Sequence, residues 1–195
     1  MQLSKMRDKL DMAITYGSRR AAMKLAREAL KKARRQRLGG EICYFQGQVE
    51  LIRENFVSAI EYFDAAIRYD NRDGGSYNDR ALCLAELGLI DEALKCFDQG
   101  IRVERDYATI YHNKGWLLNN IGRYKEALVC FKKALQLEPE RAVTYDNLAD
   151  VLFNQGNFHA ALKAYRKVLA LLPARRCPGI RSEIKKRIKQ IEEKI

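Results

Sequence analysis

The feature that most constrains this chain is an internal repeat with a period of about 34 residues. Alanine recurs four times at this spacing, and an aromatic residue follows each alanine four positions later. These two columns are Ala59, Ala93, Ala127 and Ala161, then Phe63, Phe97, Phe131 and Tyr165. A third column holds only small residues: Gly47, Ala81, Gly115 and Ala149. Such a period indicates stacked copies of one small unit that share a core, since no single copy can bury its apolar face alone.

Each unit has the pattern of two helices joined by a short turn. In residues 108–141, apolar and small residues recur at helical spacing in the first half and again in the second. Gly122 lies between the halves and can supply the left-handed backbone of a turn. Pro139 ends the unit because proline cannot continue a helix. The small residue of the first helix is predicted to let the aromatic ring of the second helix lie close to it.

This pattern resembles the tetratricopeptide repeat family. The match is strongest in residues 108–141, through Tyr111, Gly115, Tyr124, Ala127, Phe131, Ala134 and Pro139. Residues 40–73 depart from it, with Glu54 at the turn glycine and Asn71 at the proline. The resemblance implies an all-α, right-handed α-solenoid of helix-turn-helix hairpins.

We predict one solenoid over residues 1–195, with five hairpins and a C-terminal capping helix. The predicted repeats are 3–36, 40–73, 74–107, 108–141 and 142–175, and the capping helix is 178–195. The first repeat is divergent, as expected of a terminal repeat. The last helix carries an isoleucine stripe: Ile180, Ile184, Ile188, Ile191 and Ile195. This stripe either covers the last hairpin or forms a seam for self-association.

The family resemblance implies that the first helices of successive hairpins line a groove that binds peptides or helices of partner proteins. The residues projected onto this groove are Tyr44, Gln48, Asn78, Leu82, His112, Asn113, Trp116, Asn120, Asp146, Asn147, Asp150 and Asn154. Asn113 and Asn147 share one repeat position, where an amide can both donate to and accept from a peptide backbone. They could instead only tie adjacent helices together, and Trp116 is equally well an interface anchor or a packing residue.

The charge of the groove bears on its ligand. Acidic residues projected there, including Glu41, Asp146 and Asp150, favour a neutral or basic ligand. The cations of a family-type clamp for C-terminal carboxylates are incomplete at the corresponding positions. A carboxylate ligand would therefore lack charge-assisted hydrogen bonds.

The net charge of +11 is concentrated at the two ends of the chain. Residues 1–39 carry a net charge of +9, and residues 173–195 a net charge of +5. The densest basic segment consists of Arg19, Arg20, Lys24, Arg27, Lys31, Lys32, Arg34, Arg35 and Arg37. This basic patch is either a solvated outer helix face or a binding surface for nucleic acid or an acidic protein. A thin alanine stripe beside it argues against membrane insertion.

Catalytic and cofactor motifs are not recognised in the sequence. It contains no glycine-rich phosphate loop, nucleophile elbow or zinc-type ligand spacing. The expectation is a non-enzymatic scaffold without cofactor or metal. The five cysteines are expected to be reduced thiols, and with no apolar leader at the start of the chain this predicts a cytoplasmic protein.

Overall fold

The computed structural model describes residues 2–172 and 178–194, without the side chain of Pro178. Within those residues all regular structure is α-helical, as predicted. The helices are α1 (Leu3–Tyr16), α2 (Arg19–Gln36), α3 (Gly39–Ile52), α4 (Phe56–Tyr69), α5 (Gly74–Glu86), α6 (Ile90–Val103), α7 (Ala108–Asn120), α8 (Tyr124–Leu137), α9 (Ala142–Asn154), α10 (Phe158–Leu171) and α11 (Pro178–Glu192). Each predicted repeat contains one helix pair, and α11 is the additional C-terminal helix.

The chain divides into two compact units, residues 1–105 and 106–195. Unit 1 contains α1 to α6, and unit 2 contains α7 to α11. In each unit, consecutive helices pack in antiparallel pairs, and α3 also contacts α5, as α7 contacts α9. We call the surface formed by the first helices of the pairs the first-helix surface: α1, α3 and α5 in unit 1, and α7 and α9 in unit 2.

Close approach of the paired helices depends on the small-residue column. A Cβ on Gly47 would lie 2.7 Å from the Phe63 ring, and a Cβ on Gly115 would lie 2.8 Å from the Phe131 ring. Both rings are completely buried. The predicted contact between small residue and aromatic ring is therefore present, and it sets the distance between the helices of these pairs.

The C-terminal helix covers the last hairpin. Ile184 and Ile191 of α11 are each 1% exposed and belong to the core that α9 and α10 form. Arg181 donates to the backbone carbonyls of Leu169 and Leu172, 2.5 and 2.7 Å away, and so caps the end of α10. The prediction that the isoleucine stripe covers the last hairpin is confirmed for Ile184 and Ile191, whereas Ile195 lies outside the described part of the chain. Cys177, one of the five cysteines expected to be reduced, also lies outside it.

The turns between paired helices show why glycine recurs in them. Gly88, Gly122 and Gly156 have φ values of 78°, 78° and 75°. Glu54 occupies the same place in the second hairpin with φ 69°. A side chain in this left-handed conformation costs about 1–2 kcal/mol. Among the described residues, the Glu54 side chain forms one exposed ion pair, 2.7 Å from Arg19.

We therefore predict that Glu54→Gly stabilises the protein. The free energy of unfolding should rise by roughly 0.5–1 kcal/mol, because relief of the left-handed strain exceeds the loss of an exposed ion pair. Urea unfolding monitored by circular dichroism measures this change. Glu54→Ala is the matched control, since it removes the ion pair but keeps a Cβ. Equal or lower stability of Glu54→Gly relative to Glu54→Ala would contradict the prediction.

Candidate functional site

The first-helix surface of unit 1 is occupied by an arginine from α1. Arg7 donates to both carboxylate oxygens of Asp73, at 2.8 and 3.0 Å, and to Glu41 at 3.1 and 3.3 Å. Its guanidinium also lies 3.6 Å from the centre of the Tyr44 ring. Asp73 is the N-cap of α5, where it accepts from the backbone N–H of Ser76. Arg7 thus joins α1 to α3 and to the start of α5.

The charges in this arrangement are compensated. Burial alone would lower the pKa of Arg7, but Tyr44, Asp73 and Glu41 outweigh burial and raise it. Burial would likewise raise the pKa of Asp73, yet its bonds to Arg7 and Ser76 lower it. Both groups therefore stay ionised at neutral pH. From the sequence, the acidic Glu41 is expected to favour a neutral or basic ligand. In the structure, Arg7 neutralises this carboxylate.

A polar cluster lies beside Arg7 on the same surface. Gln48 Nε2 donates to the Tyr44 hydroxyl at 3.1 Å and contacts Asp79 Oδ2. Asn78 Nδ2 donates to the other Asp79 oxygen at 2.9 Å. These four side chains are at most 9% exposed. The repeat pattern projects Tyr44, Gln48 and Asn78 onto the groove, but the structure buries them, with their side chains hydrogen-bonded within this cluster.

Asp79 is the carboxyl group of this cluster, and its pKa is strongly shifted. Burial raises its pKa to about 7, against the hydrogen bonds from Tyr44 and Asn78 and together with repulsion from Asp11 and Asp73. Gln48 Oε1 is buried without a hydrogen-bond partner among the described residues. Exchanging the oxygen and nitrogen positions of the Gln48 amide would place this oxygen against a protonated Asp79, which could donate to it.

The first-helix surface of unit 2 is built around His112. Its Nδ1 lies 3.0 Å from Thr144 Oγ1, and its Nε2 lies 3.4 Å from Asn147 Nδ2. With the Asn147 amide in this orientation, its nitrogen donates to Nε2, and Nδ1 then carries the proton of the neutral ring. Burial, and then the charge of Arg141, lowers the pKa of His112 to about 3. His112 is therefore a neutral connector between α7 and α9, and Asn147 is bonded to it.

The two acidic residues of α9 are paired with the capping helix. Arg187 of α11 lies 2.5 Å from Asp150 Oδ1 and 3.7 Å from Asp146 Oδ1. The Tyr165 hydroxyl also donates to Asp150. Burial raises the pKa of Asp146 to about 6, with repulsion from Asp150 and against the charge of Arg187. As in unit 1, an arginine of a terminal helix neutralises carboxylates of the first-helix surface.

The remaining projected residues are more accessible. Asn120 and Asn154 are exposed, and those of intermediate exposure are Leu82, Asn113, Trp116, Asp146, Asn147 and Asp150. In unit 2, the described positions on α7 and α9 therefore retain a partly exposed tryptophan among several amides. In unit 1, the corresponding positions on α3 and α5 are buried apart from Leu82, which is of intermediate exposure, and Glu86, which is exposed.

Sequence reasoning missed Arg7, Asp73 and Arg187. One signal for the first of these was present, because Arg7 stands one repeat period before Glu41 and carries the opposite charge. Residues one period apart occupy equivalent positions of successive repeats, which lie next to each other. No signal from the repeat period pointed to Arg187. It lies on α11, outside the repeats, whereas its partners Asp146 and Asp150 lie on α9.

The comparisons with known proteins agree with the repeat fold. Models of the tetratricopeptide repeat match residues 17–76, 74–107 and 106–174. The chain is a tetratricopeptide repeat protein. Proteins of this family typically mediate protein–protein interactions and are generally non-catalytic, and no catalytic domain is identified in this one. The sequence matches no curated protein.

Several solved tetratricopeptide repeat structures share the fold. The protein TTC0263 of Thermus thermophilus is 20% identical, with a TM-score of 0.72 over 97% of this chain and 98% of that one. YrrB, a protein with an unusual peptide-binding site, is 19% identical, with a TM-score of 0.58 over 85% and 84%. MamA from Desulfovibrio magneticus is 21% identical, with a TM-score of 0.62 over 80% and 90%.

Two further properties concern only residues 2–172 and 178–194. No helix there is long and apolar enough to cross a membrane. No group of three or more His, Cys, Asp or Glu side chains is arranged there to hold a metal ion.

Asp79 generates a prediction about stability and pH. Its pKa is about 7 in the folded state and about 3.8 when unperturbed. Between pH 3.8 and pH 7, the folded protein therefore retains a proton on Asp79 that the unfolded chain has released. The stability that this proton contributes is present below about pH 4 and is lost as the pH rises to about 7. Asp79→Asn stays uncharged. It should be more stable than wild type at pH 8 by at least about 1 kcal/mol, and equally stable near pH 4.

Urea unfolding of both proteins from pH 4 to pH 8 measures this difference. His112 contributes the opposite slope, because its lowered pKa makes the unfolded chain bind more protons between about pH 3 and pH 6.5. The His112 contribution is common to both proteins and cancels when their stabilities are subtracted. A difference that does not change with pH would show that Asp79 is ionised in the folded protein throughout.

Proposed function

We propose that this protein is a non-catalytic scaffold that binds an extended segment of a partner protein on the first-helix surface of unit 2. The observation that carries the proposal is the side chain at one repeat position: unit 2 has the partly exposed Trp116 where unit 1 has Leu82. In unit 1, Arg7 and the buried polar cluster fill the surface. In unit 2, α7 and α9 keep Trp116 partly exposed, with the exposed Asn120 and Asn154 on the same helices.

The amide of Asn147 is suited to pair with a peptide backbone. Its Nδ2 is held by His112 Nε2, which fixes the orientation of the side chain. Its Oδ1 has no partner among the described residues, so it can accept from a ligand N–H without losing an existing bond. Orientation by a buried neighbour lowers the entropy lost on binding. His112 acts here as a positioning residue.

Trp116 supplies the apolar part of the proposed site. It is the only tryptophan of the chain and lies on α7 one turn from His112. Partly exposed aromatic residues commonly contribute much of the binding energy at protein interfaces. Arg187 lies 2.5 Å from Asp150 but 3.7 Å from Asp146, so part of the acidic charge remains and the site suits a neutral or basic ligand. The peptide-binding site of the structural neighbour YrrB supports a peptide ligand for this fold.

Self-assembly through the last helix has less support. Ile184 and Ile191 are buried against their own unit, and Ile188 is partly buried there. Of the described stripe, only Ile180 is substantially exposed, at 40%. A hydrophobic seam between copies would need several such residues in a row.

We predict that Trp116→Ala weakens peptide binding. Peptides selected from a random phage-displayed library against the wild-type chain should bind the variant at least tenfold more weakly, because the apolar anchor is lost. Their binding should also change the fluorescence of wild-type Trp116. Fluorescence anisotropy of labelled peptides measures the affinity.

Tyr62→Ala is the matched control, since Tyr62 is an aromatic residue on α4 that is 37% exposed. This variant should bind the peptides as wild type does. Unchanged binding by Trp116→Ala, or equal loss in both variants, would contradict the proposed site. Circular dichroism checks that both variants are folded.

A further inference from the structure

The outer face of α2 presents an uninterrupted row of cations. Arg20, Lys24, Arg27, Lys31 and Arg35 follow one another at intervals of three or four residues, and all five are exposed. The opposite side of α2 is buried against α1 and α3, through Ala22, Ala26, Ala29 and Ala33. Side chains three or four residues apart lie on one side of a helix. The row therefore extends along the side of α2 that faces away from the core of unit 1.

Most of these charges are not compensated within the protein. Arg20, Arg27, Lys31 and Arg35 have no carboxylate partner among the described residues. The only carboxylate on α2 is Glu28, 4.0 Å from Lys24. This differs from Arg7, which is paired with two carboxylates, and from Arg187, which is paired with three. Clustered exposed cations without counter-charges raise the local electrostatic potential and attract polyanions.

We infer that this face of α2 binds the phosphodiester backbone of a double-stranded nucleic acid. From residue 20 to residue 35 the row is roughly 22 Å long, at about 1.5 Å per helical residue. That length corresponds to about six base pairs, at about 3.4 Å per phosphate along one strand. Several cations of the row can therefore contact successive phosphates at the same time.

A shallow depression lies along the central part of the row. It is lined by Arg27, Leu30, Lys31, Arg34 and Arg35 and has a volume of about 530 Å³. Arginine can bind a phosphate through two parallel hydrogen bonds, which makes it a strong phosphate ligand. Arg34 donates to Gln46 at 3.2 Å, a neutral bond that does not cancel its charge.

The composition of this face favours nucleic acid over an acidic protein. Protein interfaces have an apolar core enriched in aromatic residues and poor in charges. α2 contains no aromatic residue, and its apolar side is already buried. Interfaces with nucleic acid are strongly positive and polar. The absence of aromatic side chains on α2 also favours a duplex over a single strand, whose bases would need stacking partners.

The same burial argues against a membrane surface. An interfacial amphipathic helix inserts its apolar side into the lipid. In α2 that side is the alanine stripe packed against α1 and α3. The inference is independent of the proposed peptide site in unit 2, since it concerns other residues in the other unit.

The test is a titration of the full chain into fluorescently labelled 20-base-pair duplexes of mixed sequence, one of DNA and one of RNA. The test variant is Arg27→Gln/Lys31→Gln/Arg35→Gln, since glutamine keeps a high helix propensity. At 0.1 M salt the wild type should bind at least one duplex with micromolar affinity, and the variant should bind it at least tenfold more weakly. The slope of log affinity against log salt should be smaller by about 2–3 for the variant, as about three phosphate contacts are lost.

The matched control is Arg72→Gln/Arg102→Gln/Lys95→Gln, which removes the same charge from exposed positions elsewhere in unit 1. It should bind the duplex within threefold of wild type. The inference is overturned if wild type binds neither duplex at 0.1 M salt, or if the control loses as much affinity as the test variant. It is also overturned if polyglutamate or vesicles containing anionic lipid bind the row more tightly than the duplexes do.

Discussion

The contact between an aromatic ring and a residue with little or no side chain is the constraint on which the rest of this structure depends. The Phe63 ring lies where a Cβ of Gly47 would be, and the Phe131 ring lies against Gly115 in the same way. These contacts bring the helices of a hairpin close together and orient the first helices side by side within each unit. Neighbouring hairpins can then share one core, and the first-helix surface becomes the place where side chains of successive repeats meet.

In each unit, an arginine from the first or last helix of the chain affects how much of the first-helix surface is accessible. Arg7 of α1 binds Asp73 and Glu41 and covers Tyr44, and the neighbouring cluster around Asp79 is buried. Arg187 of α11 compensates the two carboxylates of α9 but leaves Trp116 of α7 partly exposed. Repeats that share one helix-pair arrangement therefore differ in the side chains accessible on their first-helix surface. This difference comes from side chains of the first and last helices.

The helices and turns could be predicted from the sequence because they depend on local patterns that recur once in every repeat. Even the exception at Glu54 followed the pattern, since this residue adopts the left-handed conformation of the turn glycines. The candidate site could be predicted only in part. Repeat position indicated which face Gln48 and Asn78 belong to, but not that both would be buried and bonded to Asp79, in the case of Gln48 across two repeats. The pairing of Arg7 with Asp73 joins residues 66 positions apart, a contact that periodicity does not specify.

In the function proposed here, a partner segment binds to unit 2, and Arg7 closes the corresponding surface of unit 1. Photo-crosslinking of a selected peptide that carries a benzophenone group, followed by mass spectrometry of the full chain, tests both parts at once. We expect adducts on α7 and α9, within residues 108–154, that disappear when unlabelled peptide competes. Adducts concentrated on α3 and α5, within residues 39–86, would show that the peptide displaces Arg7 and would contradict the proposal.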